Sequence, residues 1–420
     1  MEADAGEESW EERDVVTCFL RHGTDVLLLR RSDDVGTYRG AWGGVSGYAE
    51  GTPEEAARWE IDEEVGLLEA VEFVRSADPL VVADDSLGTR WLVHPFLFEC
   101  ASTDVEPNEE IAGYEWVQPP AMLERETVPA LWETYCAVAP TVETVRDDTA
   151  HGASSVSLRS LEVLRDRAAD ATQRDGGFEQ VAETARRLRA ARPSMGVVAT
   201  RIDRVMTTTD WDAESVLARA TNACARAVSA DGEAAAEAAD RIGERVLTLS
   251  RSGTVLAAVR RATPEAIFVA ESRPAREGVG VAEELATDHD VSLFVDAAIG
   301  HVVATEAVDT VLIGADAVLS DGTVVNKVGS RLAALAAADE SIDCYAVCSR
   351  DKVTPDEPDL ETRPPGEVYD GDADLRVRNP TFEEVPADLV TIVTEDGVLS
   401  ADDVTVIAAE HAEFATWTEG

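Results

Sequence analysis

Residues 314–330 read GADAVLSDGTVVNKVGS. The run before them, 308–313, is apolar except for Asp309 and Thr310, and the Ala/Leu-rich stretch 331–338 follows. An apolar run, a turn-rich middle at Ser320-Asp321-Gly322 and a small-residue helix predict strand, loop and helix, one unit of a parallel α/β sheet. Ligands of such sheets sit beyond the carboxyl ends of the strands, where Asp316 falls. Lys327 and the backbone N–H groups near Gly329, at the start of the next helix, are placed to meet an anion.

Working outward, short apolar runs alternate with helical segments across 241–420: 245–249, 266–270, 291–295, 310–314, 342–348 and 389–393. That rhythm predicts βαβ units in a doubly wound sheet. Polar residues gather where the runs end: Ser250-Arg251-Ser252-Gly253, Glu271-Ser272-Arg273-Pro274, Asp296, Asp316, and 349–352. Arg273 has the fork that grips a phosphate. Ser250, Ser252 and Gly253 offer hydroxyl and backbone donors beside Arg251, and Asn326 precedes Lys327. Together these strand ends predict a site for a phosphorylated ligand.

The 420 residues carry a net charge of −47, from 83 acidic and 36 basic side chains. Only Lys327 and Lys352 are lysines; the other basic residues are arginines. So dense an acidic surface fits a protein of molar salt, where screening shrinks to a few ångströms. It argues against non-specific binding to nucleic acid or acidic membranes. In a chain that has nearly abolished lysine, Lys327 is expected in a buried or ligand-holding place. Six scattered cysteines without CxxC pairs predict reduced, core-packed thiols and a cytoplasmic setting. The acidic start of the chain does not read as a signal peptide, and no apolar run reaches membrane-spanning length.

Residues 1–13 read as an acidic tail and 14–140 as a first domain. Its hairpin signal, 15–20 and 25–29 around His22-Gly23-Thr24, leads to WGGVSGYAEGTPEEAARWEIDEEVGL at 42–67. Thr52 is placed to cap a helix, with Pro53 first, Glu55 three residues on and Gly66 as the stop. Glu60, Glu63 and Glu64 share one helix face. Like charges there repel unless a cation sits among them, and Mg²⁺ favours such carboxylates. A strand at 91–100, a turn and strand over 109–117 and a closing helix over 121–138 complete the domain.

Glycine, glutamate and helix together resemble the Nudix box, G-x5-E-x7-R-E-U-x-E-E-x-G-U. Gly44 and Glu50 match its front; Glu60, Ile61, Glu63, Glu64, Gly66 and Leu67 match its tail. The resemblance implies an α/β/α sandwich whose Glu60, Glu63 and Glu64 hold Mg²⁺ and assist water attack on a pyrophosphate. Two departures stand out. Trp59 occupies the arginine position, and Gly51 lengthens the spacer by one residue.

A small, polar connector is expected over 141–155 and a helical subdomain over 156–240, with a helical pattern over 156–188 that includes a second helix following 178–181, and further helices at 197–206 and 213–239. From there to 420 the segments ESRP (271–274), GAD…DG…NKVGS (314–330), NPTFEEVP (379–386) and TEDG (394–397) resemble the translation initiation factor 2B α/β/δ family. That family includes ribose-1,5-bisphosphate and methylthioribose-1-phosphate isomerases. The resemblance implies a helical part before a Rossmann-like domain and pairing into a homo-oligomer through that domain. In the isomerases a Cys and the Asp of the GAD motif shift an aldose phosphate to a ketose. The Asp maps to Asp316, and the Cys position holds Ser250. Glu277 replaces a Gln. A serine hydroxyl needs an adjacent base, and the strand end offers no His.

The sequence therefore reads as α/β throughout: a Nudix sandwich, a helical subdomain and a Rossmann-like sheet. The expected function is binding of a phosphorylated sugar or nucleotide in a regulatory, initiation factor 2B-like role. The alternatives are a ribose-1,5-bisphosphate isomerase-like enzyme and a Mg²⁺-dependent Nudix pyrophosphohydrolase.

Overall fold

A computed structural model describes residues 10–148, 150–173, 177–207, 210–355 and 360–419. The chain forms two compact units, 1–140 and 141–420.

The first unit contains β1 (Glu11–His22), β2 (Asp25–Arg31), β3 (Trp42–Gly43), β4 (Val45–Tyr48), α1 (Pro53–Val65), β5 (Val71–Ser76), β6 (Leu80–Asp84), β7 (Thr89–Cys100), β8 (Ile111–Val117) and α2 (Leu131–Val138). Its eight strands run β3-β2-β1-β7-β5 along the main path, with β4 on β1, β6 on β7 and β8 on β2. Alternation along β1 feeds both faces. Val16, Cys18 and Leu20 join Ala57, Ile61 and Val65 of α1 in one core. Phe19 meets Tyr135 of α2 edge-on, ring centroids 5.4 Å apart. The helices thus cover opposite faces, the expected α/β/α sandwich.

Three expectations change here. Of the stretch read as a tail, residues 1–9 lie outside the described residues, while 11–13 already pair with β7. The closing helix of 121–138 is two pieces, a 3-10 turn at Pro119–Glu124 and α2. Pro129, and Ala130 in the left-handed region at φ 58°, separate them. β5 and β6 add a sheet edge that the chain pattern did not announce.

The second unit opens with α3 (Val142–Asp147), inside the stretch read as a connector; a Thr141–Thr144 capping box starts it. Then come α4 (Ala153–Gln173), α5 (Phe178–Arg189), α6 (Gly196–Met206) and α7 (Ala213–Ala239). Their inner faces make a core of their own. The sheet follows: β9 (Arg245–Leu249), α8 (Gly253–Ala262), β10 (Ala266–Ala270), α9 (Glu277–Leu285), β11 (Val291–Phe294), α10 (Ile299–Thr305), β12 (Thr310–Gly314), β13 (Ala317–Leu319), β14 (Val324–Lys327), α11 (Ser330–Asp339), β15 (Asp343–Val347), β16 (Val353–Thr354), β17 (Phe382–Val385), β18 (Thr391–Thr394), β19 (Gly397–Val398) and α12 (Ala401–Phe414).

Six parallel strands stand in the order β11-β10-β9-β12-β15-β18, with β19 antiparallel at the edge. Numbered along the chain this is 3-2-1-4-5-6, so the winding reverses between β9 and β12. Residues of α7, α8 and α9 pack one face of the sheet, and residues of α10, α11 and α12 pack the other. The loop expected after β12 is instead the β13–β14 hairpin, turning at Gly322 (φ 87°) and joined in a second sheet of order β16-β13-β14-β17.

Candidate functional site

The reversal between β9 and β12 brings Ser250 and Asp316 to one rim. Three non-glycine residues there take left-handed backbone: Ser250 (φ 59°), Ser272 (φ 62°) and Arg276 (φ 58°). Such strain survives where the surroundings fix it, and it gathers at functional sites. What fixes it is visible. Both carboxylate oxygens of Asp296 accept backbone N–H groups, from Ser272 at 2.7 Å and Arg273 at 2.6 Å. The Ser272 hydroxyl in turn accepts the N–H of Ser250 at 2.5 Å. Gly278 could carry no side chain, since a Cβ would lie 1.9 Å from the Ala270 carbonyl oxygen. That close approach lets α9 begin directly over the end of β10.

Arg276 and Gly278 between them aim Glu277 across the rim. Its Oε2 accepts the Ser250 hydroxyl at 3.1 Å, and its Oε1 accepts Lys327 Nζ at 2.9 Å. The Lys327 ammonium also stands 5.3 Å from the centre of the Phe382 ring. Asp316 is partly buried, and burial raises its carboxyl above the usual range; Lys352 and Lys327 counter this. Lys352 is itself 5% exposed and donates to the Ala315 carbonyl at 2.5 Å. Both lysines of the chain therefore hold enclosed places beside Asp316.

The other expected residues fall around this centre. Ser252 caps α8 by accepting the Val255 N–H, and Gly253 opens that helix with free space beside it. A Cβ on Gly314 would touch Ser252 at 3.0 Å, so β9 and β12 end in contact. Asn326 is buried and donates to the Ser330 hydroxyl at 2.8 Å. Arg251 and Arg273 are exposed, and neither guanidinium is bonded to a described residue.

One expectation is overturned. The N–H groups at the start of α11 do not await an anion: Glu383 Oε1 takes those of Gly329, at 2.7 Å, and Arg331, at 3.0 Å. Other neighbours were not foreseen. Arg363 pairs with Glu367 at 2.8 Å and feels Glu277 and Glu361. Glu361 accepts the Ser194 hydroxyl and lies 3.4 Å from Arg192, both on the α5–α6 loop. Gly152, just before α4, lies against the Arg251 carbonyl. No local pattern marks these residues; they meet only through the fold.

Beyond β15 the helical part is fastened to the same rim. Arg201 Nε lies 3.1 Å from Asp351, and Arg204 pairs with the other carboxylate oxygen. Burial alone would raise the Asp351 carboxyl, but the two guanidiniums outweigh it and hold it at about 2. A separate cavity of about 450 Å³ opens here, lined by Arg226, Glu233, Arg350 and Glu395 among others. Burial pushes the Glu395 carboxyl up to about 7.

In the first unit, Gly51 sits in left-handed backbone before the Thr52 cap (φ 88°). The extra residue is absorbed ahead of α1, so the register of Glu60, Glu63 and Glu64 is untouched. Glu64, 4% exposed, accepts the Ser46 N–H at 3.0 Å. Glu60 lies against Gly47, where a Cβ would fall 1.8 Å from its carboxylate. Burial, then neighbouring carboxylates, pushes Glu60 up to about 7; burial, with Glu60 and Glu110 adding and the Ser46 N–H and Arg31 opposing, pushes Glu64 up to about 8. Glu63 instead accepts the indole N–H of Trp59 at 2.7 Å. Glu60 and Glu64 have the chemistry of divalent-cation ligands. Yet among the described residues no group of three or more His, Cys, Asp or Glu is gathered for a metal. Beside them is a cleft of about 120 Å³ lined by Tyr38, Tyr48, Trp91 and Arg31.

A doubly wound sheet behind a helical part, with charged residues at the winding reversal, defines a class of ligand-binding α/β protein. Comparison narrows it. The Initiation factor 2 subunit family matches residues 149–401, and the chain belongs to that family. The NUDIX domain matches residues 11–138. The ribose 1,5-bisphosphate isomerase of Haloferax volcanii is 30% identical over 287 residues, covering 62% of this chain and 87% of the relative. A methylthioribose-1-phosphate isomerase of Pseudomonas entomophila is 35% identical over 173 residues, covering 37% of this chain and 48% of the relative. The match thus spans about half the length of the Pseudomonas enzyme. The translation initiation factor eIF-2B of Pyrococcus horikoshii shares the fold, with a TM-score of 0.53 at 24% identity, covering 61% of this chain and 94% of that one.

Proposed function

We propose that the C-terminal unit binds a sugar carrying a phosphate at C1, of the ribose-1,5-bisphosphate class, at the rim between β9 and β12. The Lys327–Glu277 ion pair at the winding reversal carries the reading. An ammonium has three donors, so Lys327 can hold Glu277 and still meet a ligand oxygen. Arg251 and Arg273 stand exposed at the same rim for the phosphates. The isomerases among the relatives support this substrate class. The setting proposed is a reducing, cytoplasmic one, in keeping with six free cysteines. A homo-oligomer paired through this unit belongs to the proposal, as does adaptation to high salt.

A second reading is a sensor in the manner of initiation factor 2B subunits, binding sugar phosphate or nucleotide without turning it over. Ser250, standing where the isomerases have their thiol, favours it. Incubating the full chain with ribose-1,5-bisphosphate in molar potassium chloride and following ketose formation separates the two. Turnover supports the isomerase; saturable binding without turnover supports the sensor. Absence of both sinks the site.

For the first unit, pyrophosphate cleavage is the proposed activity. Glu60 and Glu64 would hold Mg²⁺, which supplies Lewis-acid activation of water and phosphate. The raised carboxyls of Glu60 and Glu64 beside an aromatic cleft support it.

A further inference from the structure

Two departures from the isomerase pattern that this sequence resembles touch each other. Ser250 stands at the thiol position, and Glu277 stands where the relatives' motif has an amide. Their side chains meet at 3.1 Å. A hydroxyl cannot serve as the base that a thiolate can be, because its proton is held far more tightly. A carboxylate can, and the shorter reach of serine's oxygen leaves it room. We propose that Glu277 is the general base of the C-terminal site, supplanting the thiol, with the Ser250 hydroxyl and the Lys327 ammonium holding its two oxygens in place. The inference rests on the sugar-phosphate reading of the same rim.

Geometry carries it further than one contact. Glu277 is aimed by the left-handed turn at Arg276 and by the side-chain-free Gly278. Lys327, one of only two lysines kept by the chain, is spent on it. Asp316 lies within electrostatic reach of Glu277, so one site presents two carboxyl groups in different surroundings. Glu277 is ion-paired, while Asp316 is partly buried beside Lys352 and Lys327. That division suits one base and one acid.

The step balances without a co-reactant. Asp316, protonated, gives its proton to the ring oxygen as the bond from C1 to that oxygen breaks. Glu277 takes the proton from C2, and the C–H electron pair forms the C1–C2 double bond. The proton on Glu277 then returns to C1 as the C2 hydroxyl gives its proton to Asp316 and becomes the ketone. One internal carbon is oxidised and its neighbour reduced, and both carboxyl groups end as they began.

The test uses the full chain in molar potassium chloride with ribose-1,5-bisphosphate as the probe. Ketose formation and deuterium uptake at C1 from heavy water are followed by NMR, and affinity by calorimetry. Glu277→Gln is expected to lower turnover by about 10³-fold with affinity unchanged or tighter. Glu277→Asp keeps the charge and the Lys327 partner. It is expected to retain slower turnover with an acid limb in its pH–rate profile, a limb the amide variant loses; it also serves if the amide variant does not fold. Full turnover in Glu277→Gln overturns the assignment and leaves the isomerase reading standing. Binding without turnover in the unaltered chain overturns the assignment and leaves the binding site standing. Neither binding nor turnover overturns both.

Discussion

The rim of the parallel sheet and the acidic face of α1 both bury carboxylates, and they treat them in opposite ways. At the rim the chain supplies its own cations: Lys327 for Glu277, and Arg201 with Arg204 for Asp351. On α1, Glu60 and Glu64 form no ion pair with a described residue, and Trp59 stands where the Nudix box that this stretch resembles has its arginine. The consequence is visible in the protons. Asp351 is held near 2, while Glu60 and Glu64 rise to about 7 and about 8. On the readings proposed above, the compensated rim would take a sugar phosphate and the uncompensated face of α1 a cation.

The largest expected effect breaks the rim side of this contrast. Asp351→Ala leaves the buried Arg201 guanidinium without its carboxylate, with only the Ser157 and Ser349 hydroxyls to meet it. It is expected to destabilise the C-terminal unit by about 3–5 kcal/mol, read from its denaturant transition. A loss well under that would mean Arg201 finds another acceptor. Next is Gly278→Ala. Its Cβ would meet the Ala270 carbonyl at 1.9 Å, so α9 must shift. The expected cost is about 1–3 kcal/mol, together with loss of ribose-1,5-bisphosphate binding in calorimetry.

Smaller, and on the other side of the contrast, is the pH response of the first unit. Both α1 carboxyls titrate above their usual 4.5 when folded. Their contribution to stability is therefore complete at pH below that value and is lost as pH rises through about 7 and 8. Mg²⁺ needs the ionised form. Added Mg²⁺ is expected to raise the thermal midpoint of this unit more at pH 9 than at pH 6, and the Glu60→Gln/Glu64→Gln variant to lose both slope and Mg²⁺ effect. The same Mg²⁺ shift in the variant would remove the cation from this face. Smallest is Trp59→Arg, which puts a guanidinium beside Glu63. Being exposed, the pair is expected to change stability by under about 1 kcal/mol. A larger change would show that Trp59 contributes more than its exposed contact with Glu63.

The central parallel strands were legible because they are short, mostly apolar and largely buried runs; 245–249, 266–270 and 310–314 agree to the residue. So was α1, which carries its own cap, proline and stop. β5 and β6 were not, because their exposed positions mix valine and phenylalanine with charges and break the alternation. Within the opening stretch, Asp316 and Lys327 were readable from strand end and scarcity. The hairpin between them, and the Glu383 carboxylate that fills the start of α11, were not. Glu277 shows the limit most clearly. In sequence it is an unwelcome charge near a phosphate site. In space it is the partner that Ser250 lacked, 27 residues away.

The central claim, a sugar-phosphate site at the β9–β12 rim held by Lys327, is tested most directly by calorimetric titration of the full chain with ribose-1,5-bisphosphate in molar potassium chloride. The account predicts saturable binding that weakens by about 100-fold in Lys327→Ala, the loss of a charge-assisted bond to the ligand and of the grip on Glu277. Equal affinity in the variant would contradict it.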